Sequence, residues 1–170
     1  RRVEDAVTGG PWCHPRRWGG ATPPPSVVFS DEASVKHWQS SVSSGRVEIA
    51  RITIELQEPA LQALLKARTE ARKLHLDITP RTRDAARRTY ADTVALWQSR
   101  VDPGLKHWVK KRRITPAEAN RIRALPPMEQ VREILRLEKD RLFFSKDFSK
   151  SILYSVAAPG TSQHLALLAL

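Results

Sequence analysis

Apolar residues along this chain fall into short runs at helical spacing, separated by polar or Gly/Pro-containing breaks. The first run is Val35, Trp38 and Val42, behind Ser30, Asp31 and Glu32. A serine N-cap followed by two acids suits a helix start, and Ser43, Ser44 and Gly45 suit its stop. Leu61, Leu64, Leu65, Ala67, Ala71 and Leu74 then follow Pro59, which fits the first turn of a second helix. Leu76, Asp77 and Ile78 break that pattern. Thr79-Pro80 restarts it as N-cap and first helical residue. Ala85, Thr89, Val94, Leu96, Trp97 and Val101 predict a long third helix, closed by Asp102-Pro103-Gly104. A short helix carries Leu105, Trp108 and Val109. Thr115-Pro116-Ala117-Glu118 reads as a capping box with proline at the first helical position. That helix ends before Pro126-Pro127. Met128, Val131, Ile134, Leu135, Leu142 and Phe143 trace the apolar stripe of the last helix. Its acid-before-base pairs, such as Glu129 with Arg132 and Glu138 with Arg141, support an exposed opposite face.

Three segments depart from helical spacing. Residues 46–57 hold Val47, Ile49, Ile52, Ile54 and Leu56, whose alternation slips by one at Ala50-Arg51. The β-branched content favours a strand and the slip suggests a bulge, so this segment needs a partner strand from elsewhere. Residues 1–29 carry Gly9, Gly10, Gly19 and Gly20 with Pro11, Pro15, Pro23, Pro24 and Pro25. At that density neither helix nor strand persists, and Trp12, Trp18 and Phe29 require cover. Beyond Phe144 the chain is Ser-rich and extended, with Ile152, Leu153, Tyr154 and Val156 as anchors. The expected fold is mainly α: a small helical core over 30–144, extended arms at 1–29 and 145–170, and one short β element at 46–57.

Charge changes the picture. The 170 residues hold 29 Lys plus Arg against 18 Asp plus Glu, a formal net charge of +11. Residues 61–123 contribute +10 of it, with sixteen bases and six acids, while 1–60 sum to zero and 124–170 to +1. Three clusters stand out: Lys66, Arg68, Arg72 and Lys73; then Arg81, Arg83, Arg87 and Arg88; then Lys106, Lys110, Lys111, Arg112 and Arg113, followed by Arg121 and Arg123. Like charges at helical spacing repel by roughly a few tenths of a kcal/mol per pair. Clusters of this kind are therefore usually matched by counter-charge, and phosphate oxygens suit guanidinium forks. Trp108, among the third cluster, is either a stacking platform for a base or part of the apolar face with Leu105 and Val109.

Catalytic and metal chemistry leave no comparable trace. Cys13 is the single cysteine, so an internal disulfide is excluded. Cys13 and His14 could supply two ligands at most, and His37, His75, His107 and His164 are scattered, so no metal or other cofactor is expected. There is no nucleophile elbow, Walker-type loop or paired-histidine zinc motif. Glu129, Glu133 and Asp140 lie among bases and read as ion-pair members. No apolar run is long enough to span a bilayer.

A non-enzymatic RNA-binding component of a ribonucleoprotein particle is the expected function, with an accessory protein of an organellar ribosome as the most natural candidate. The basic clusters would contact rRNA phosphates, and the arms would contact neighbouring proteins. Arg1, Arg2, Arg16 and Arg17 give the start of the chain an organellar flavour, so the mitochondrial matrix is the expected location. The alternative is an accessory subunit of an organellar membrane complex, such as an ATP synthase or respiratory complex, docked through the apolar residues 165–170. A third possibility uses the segment 115–124 and its flanking helices as a helix-turn-helix.

Overall fold

The computed structural model describes residues 20–80 and 87–169. The chain is mainly α. Its elements run α1 (Glu32–Ser41), β1 (Ser44–Ile49), β2 (Ile52–Gln57), α2 (Glu58–Lys73), α3 (Tyr90–Lys110), α4 (Pro116–Arg123) and α5 (Pro127–Lys139). Two 3-10 turns, Ile152–Tyr154 and Gln163–Ala166, punctuate the tail. The expected helical residues 81–86 lie outside the described residues, as do Trp12, Cys13, His14 and Trp18.

Two local expectations are corrected. Residues 46–57 are not one bulged strand awaiting a distant partner. They form a hairpin, with Val47 opposite Ile54 and Ile49 opposite Ile52. Ala50 and Arg51 both take positive φ, 52° and 64°, and make the two-residue reversal. The slip in alternation is that reversal. The second correction concerns Asp102-Pro103-Gly104, which does not end a helix. α3 runs through it for 21 residues. Pro103 has no N–H for the Ser99 carbonyl, and that oxygen accepts instead from the Arg100 guanidinium at 3.3 Å. Gly104 is there for packing: a Cβ on it would run into the Phe144 ring.

α3 starts later than Thr79-Pro80 suggests. Thr89 is its N-cap, in a reciprocal capping box with Asp92. Glu32 reaches over from α1 and accepts from the Tyr90 N–H at 2.8 Å. In α1 the N-cap is Asp31, one residue after Ser30, boxed with Ser34. In α4 Thr115 caps the Glu118 N–H at 3.1 Å, but Glu118 turns to Arg136 instead of completing the box.

The main core lies among α3, α4 and α5. Trp97, Val101, Leu105, Ile122, Ile134, Phe144 and Ile152 are fully enclosed there. A smaller cluster joins Val35 and Trp38 of α1 to Phe29, Leu165 and Ala166. A third places Leu61 of α2 on Ile49, Ile54 and Leu56 of the hairpin.

Three buried glutamines tie these clusters together, and hydrophobic periodicity does not reveal them. Gln130 accepts from Trp97 Nε1 at 3.0 Å and Gln98 Nε2 at 2.9 Å, and donates to the Ile122 carbonyl at 3.0 Å. Gln57 exchanges bonds with both backbone groups of Thr22 and donates to the Ala166 carbonyl. Gln39 donates to the carbonyls of Leu165 and Arg88. Each saturates backbone groups that would otherwise be buried unpaired.

The tail is extended and lies on the chain's own surface. Buried Glu138 accepts from the Phe144 and Ile152 N–H groups at 3.1 and 2.7 Å, closing the loop between them. Ile152 and Leu165 turn inward, while Leu153 and Tyr154 remain exposed. No helix among the described residues is long and apolar enough to cross a membrane.

Candidate nucleic-acid interface

The basic clusters meet different fates once folded. In the first, on α2, Arg68 is tucked against the chain that follows the helix. Its Nε donates to the Ile78 carbonyl at 2.9 Å, and its Nη2 pairs with Asp77 at 3.0 Å. Arg72 approaches the same carboxylate at 3.6 Å, and Lys73 pairs with Glu70 at 2.8 Å. Lys66 alone makes no ion pair among the described residues.

The second cluster is split. Arg81 and Arg83 lie outside the described residues. Arg87 pairs with Glu55 of the hairpin at 2.9 Å, and Arg46 holds the other side of that carboxylate at 3.2 Å. Partial burial raises the Glu55 carboxyl, but Arg87 and then Arg46 outweigh it, so its pKa lies below the ordinary value. The Arg88 carbonyl takes the Gln39 bond described above.

Arg121 and Arg123 on α4 are also neutralised. Arg121 donates to Glu133 of α5 at 2.6 Å, and Arg136 donates to the same carboxylate at 3.0 Å. These two guanidinium contacts, Arg136 first, hold the Glu133 carboxyl at about 2 against an ordinary 4.5. Arg123 pairs with Asp102 at 3.3 Å and donates to the Asn120 side-chain oxygen at 2.8 Å. Arg136 also reaches Asp140 at 3.8 Å. Arg121, Glu133, Arg136 and Asp140 thus form a network of matched charges across α4 and α5.

Lys106, Lys110, Lys111, Arg112 and Arg113 differ from all of these. Each is exposed, and none makes an ion pair among the described residues. They occupy the last two turns of α3 and the chain that leaves it. The helix closes in a Schellman motif: Arg113 N–H donates to the Trp108 carbonyl at 3.0 Å, and Arg112 N–H to the Val109 carbonyl at 2.9 Å. Arg112 takes φ 57°, where glycine is the usual residue. The negative end of the helix dipole offsets part of the mutual repulsion of these cations. That accounts for their tolerance in the fold and leaves their outward charge unmatched.

Trp108 belongs to the apolar face. It packs on the main core, its indole N–H donates to the Phe143 carbonyl at 3.0 Å, and the His107 ring stands edge-on to it at 4.7 Å. His107 in turn stacks on Phe148. The Trp108 N–H and one edge contact are thereby taken up within the protein.

Beside the unmatched cations runs a shallow groove between α3 and α4. Its walls include Lys106 and Lys110 from one helix and Asn120 and Arg123 from the other. Val109, Pro116 and Ala119 supply its apolar lining. Sequence reasoning missed Val109, Pro116 and Asn120 as site residues, because only the packing of two helices brings them beside the bases. Among the described residues no group of three or more metal-ligating side chains converges. No protein-family model, curated protein or solved structure matches the chain.

Proposed function

We propose that this protein is a non-catalytic, RNA-binding structural component of a ribonucleoprotein particle. The setting we propose is an organellar ribosome in the mitochondrial matrix, where the protein acts as an accessory subunit on rRNA. One observation carries this reading: five exposed cations, Lys106, Lys110, Lys111, Arg112 and Arg113, gather at one end of α3, and none forms an ion pair among the described residues. A polyanion with regularly spaced charges supplies that match, and each phosphate neutralised releases counterions. Leu153 and Tyr154, exposed on the outer side of the tail, suit contact with a neighbouring protein. The alternative, docking on a membrane complex through 165–170, loses support, because Leu165 and Leu167 are fully buried in the fold.

Sedimentation of native extract on a sucrose gradient, with and without ribonuclease, tests the setting. The protein should comigrate with a ribosomal subunit and leave it on ribonuclease treatment. Cosedimentation with membrane subunits free of RNA would overturn the proposal.

A further inference from the structure

We infer that the α3–α4 groove takes an unpaired nucleotide of a single RNA strand, its base lying on the apolar lining and its phosphates against the cations. This rests on the phosphate reading above and adds to it the kind of RNA that fits. Phosphate contact alone needs only exposed cations. The groove has more: an apolar strip of Val109, Pro116 and Ala119 flanked by Lys106 and Lys110. A second hollow shares Val109 and Pro116 and continues to Arg112 and Arg113, with Glu118, which reaches toward Arg136, also on its lining. Cations therefore border an apolar strip that runs through the two hollows, which matches a strand with phosphates next to a flat, apolar base.

The volume agrees. The first hollow measures about 270 Å³, just under the roughly 300–1,000 Å³ typical of small-ligand sites. That suits one nucleotide and is far too small for a duplex. In a duplex both faces of each base are already stacked, and only backbone and groove edges would reach the apolar lining.

Asn120 gives the groove a polar edge of defined sense. Asp102 holds Arg123, and Arg123 donates to the Asn120 side-chain oxygen. The carboxamide oxygen is thereby occupied, and its N–H groups make no bond among the described residues. They are donors, suited to a carbonyl oxygen on a base edge. Uracil, with two such oxygens, fits them.

The full chain should be titrated with oligouridine and with a blunt RNA duplex of equal phosphate number, at one salt concentration. The expected result is a preference of about three- to tenfold for the single strand, the range that one added hydrogen bond supplies. Asn120→Leu should bring that preference close to unity, read as the ratio of the two affinities, because Arg123 released from Asn120 acts on the phosphates of both RNAs alike. A 4-thiouridine strand should photocrosslink within 106–123. Equal affinity for strand and duplex, or crosslinks only outside 106–123, would overturn the inference while leaving the phosphate reading standing. Failure to bind either RNA would overturn both.

Discussion

α2 and α3 end in the same way and arrive at opposite surfaces. Both close in a Schellman motif with a basic or imidazole side chain at the left-handed position, His75 at φ 57° and Arg112 at φ 57°. α2 carries Arg72 and Lys73 in its last turn, and α3 carries Lys110 in its last turn with Lys111, Arg112 and Arg113 just after it. Two residues beyond His75, however, the chain supplies Asp77, which folds back on Arg68 and Arg72. Beyond Arg112 it supplies Arg113 and Ile114, and the first acid, Glu118, faces Arg136. Net charge by segment counts both helix ends as basic. Geometry leaves only one of them with charge to offer a partner.

The comparison can be broken most directly by charge reversal. Changing Lys110, Lys111, Arg112 and Arg113 together to Glu should cost at least about a hundredfold in RNA affinity at low salt and flatten the salt slope by about 3. Reversing Arg72 and Lys73 should cost less than about tenfold, because both are already neutralised internally. Equal losses at the two sites, measured by fluorescence anisotropy, would erase the distinction. Next comes Arg112→Gly. It relieves a left-handed backbone at a non-glycine residue and should raise stability by about 0.5–1 kcal/mol in denaturant unfolding, while weakening RNA binding a few-fold. Loss of stability would mean that Arg112 makes a structural contact not visible in the fold.

A third test uses pH. The Glu133 carboxyl sits below its ordinary value, so its contribution to stability is complete above about pH 4.5 and is lost as pH falls toward about 2. Glu133→Gln should be less stable than the parent at neutral pH, and the gap should close across that window. A gap that stays constant with pH would show that packing, and not the two guanidinium contacts, sets the difference. The smallest effect is expected from Asp77→Asn. It frees Arg68 and Arg72, should change stability by less than about 1 kcal/mol, and should raise RNA affinity slightly, making α2 more like α3.

The hydrophobic period locates all five helices, since each buries one stripe: Val35 and Trp38 in α1, Leu61 in α2, Trp97 and Val101 in α3, Ile122 in α4, Val131 and Ile134 in α5. Boundaries were legible where a side chain caps locally, as at Thr115. They were hidden where tertiary packing overrides a breaker: Gly104 makes room for Phe144, which lies forty residues along the chain. Ala50-Arg51 concealed the hairpin because neither residue is one that a two-residue reversal ordinarily selects. The buried glutamines were invisible because an isolated Gln in sequence looks solvated, and only the carbonyls it meets reveal otherwise. The candidate interface was half legible. Its cations were among those counted, but which of sixteen bases retain free charge depends on acids brought in from other elements.

The long-range bonds of Gln39 and Gln57 set an order of folding. The main core is gathered from neighbouring segments between Trp97 and Ala158. Gln39 and Leu165 are 126 residues apart along the chain, and Gln57 and Ala166 are 109 apart. Closing loops of that size is entropically costly until the intervening helices are in place. The helical trio that carries the cation cluster should therefore assemble first, and the tail should seal against α1 and the hairpin last. In hydrogen exchange from the native state the Leu165 and Leu167 amides should exchange ahead of those in the middle of α3.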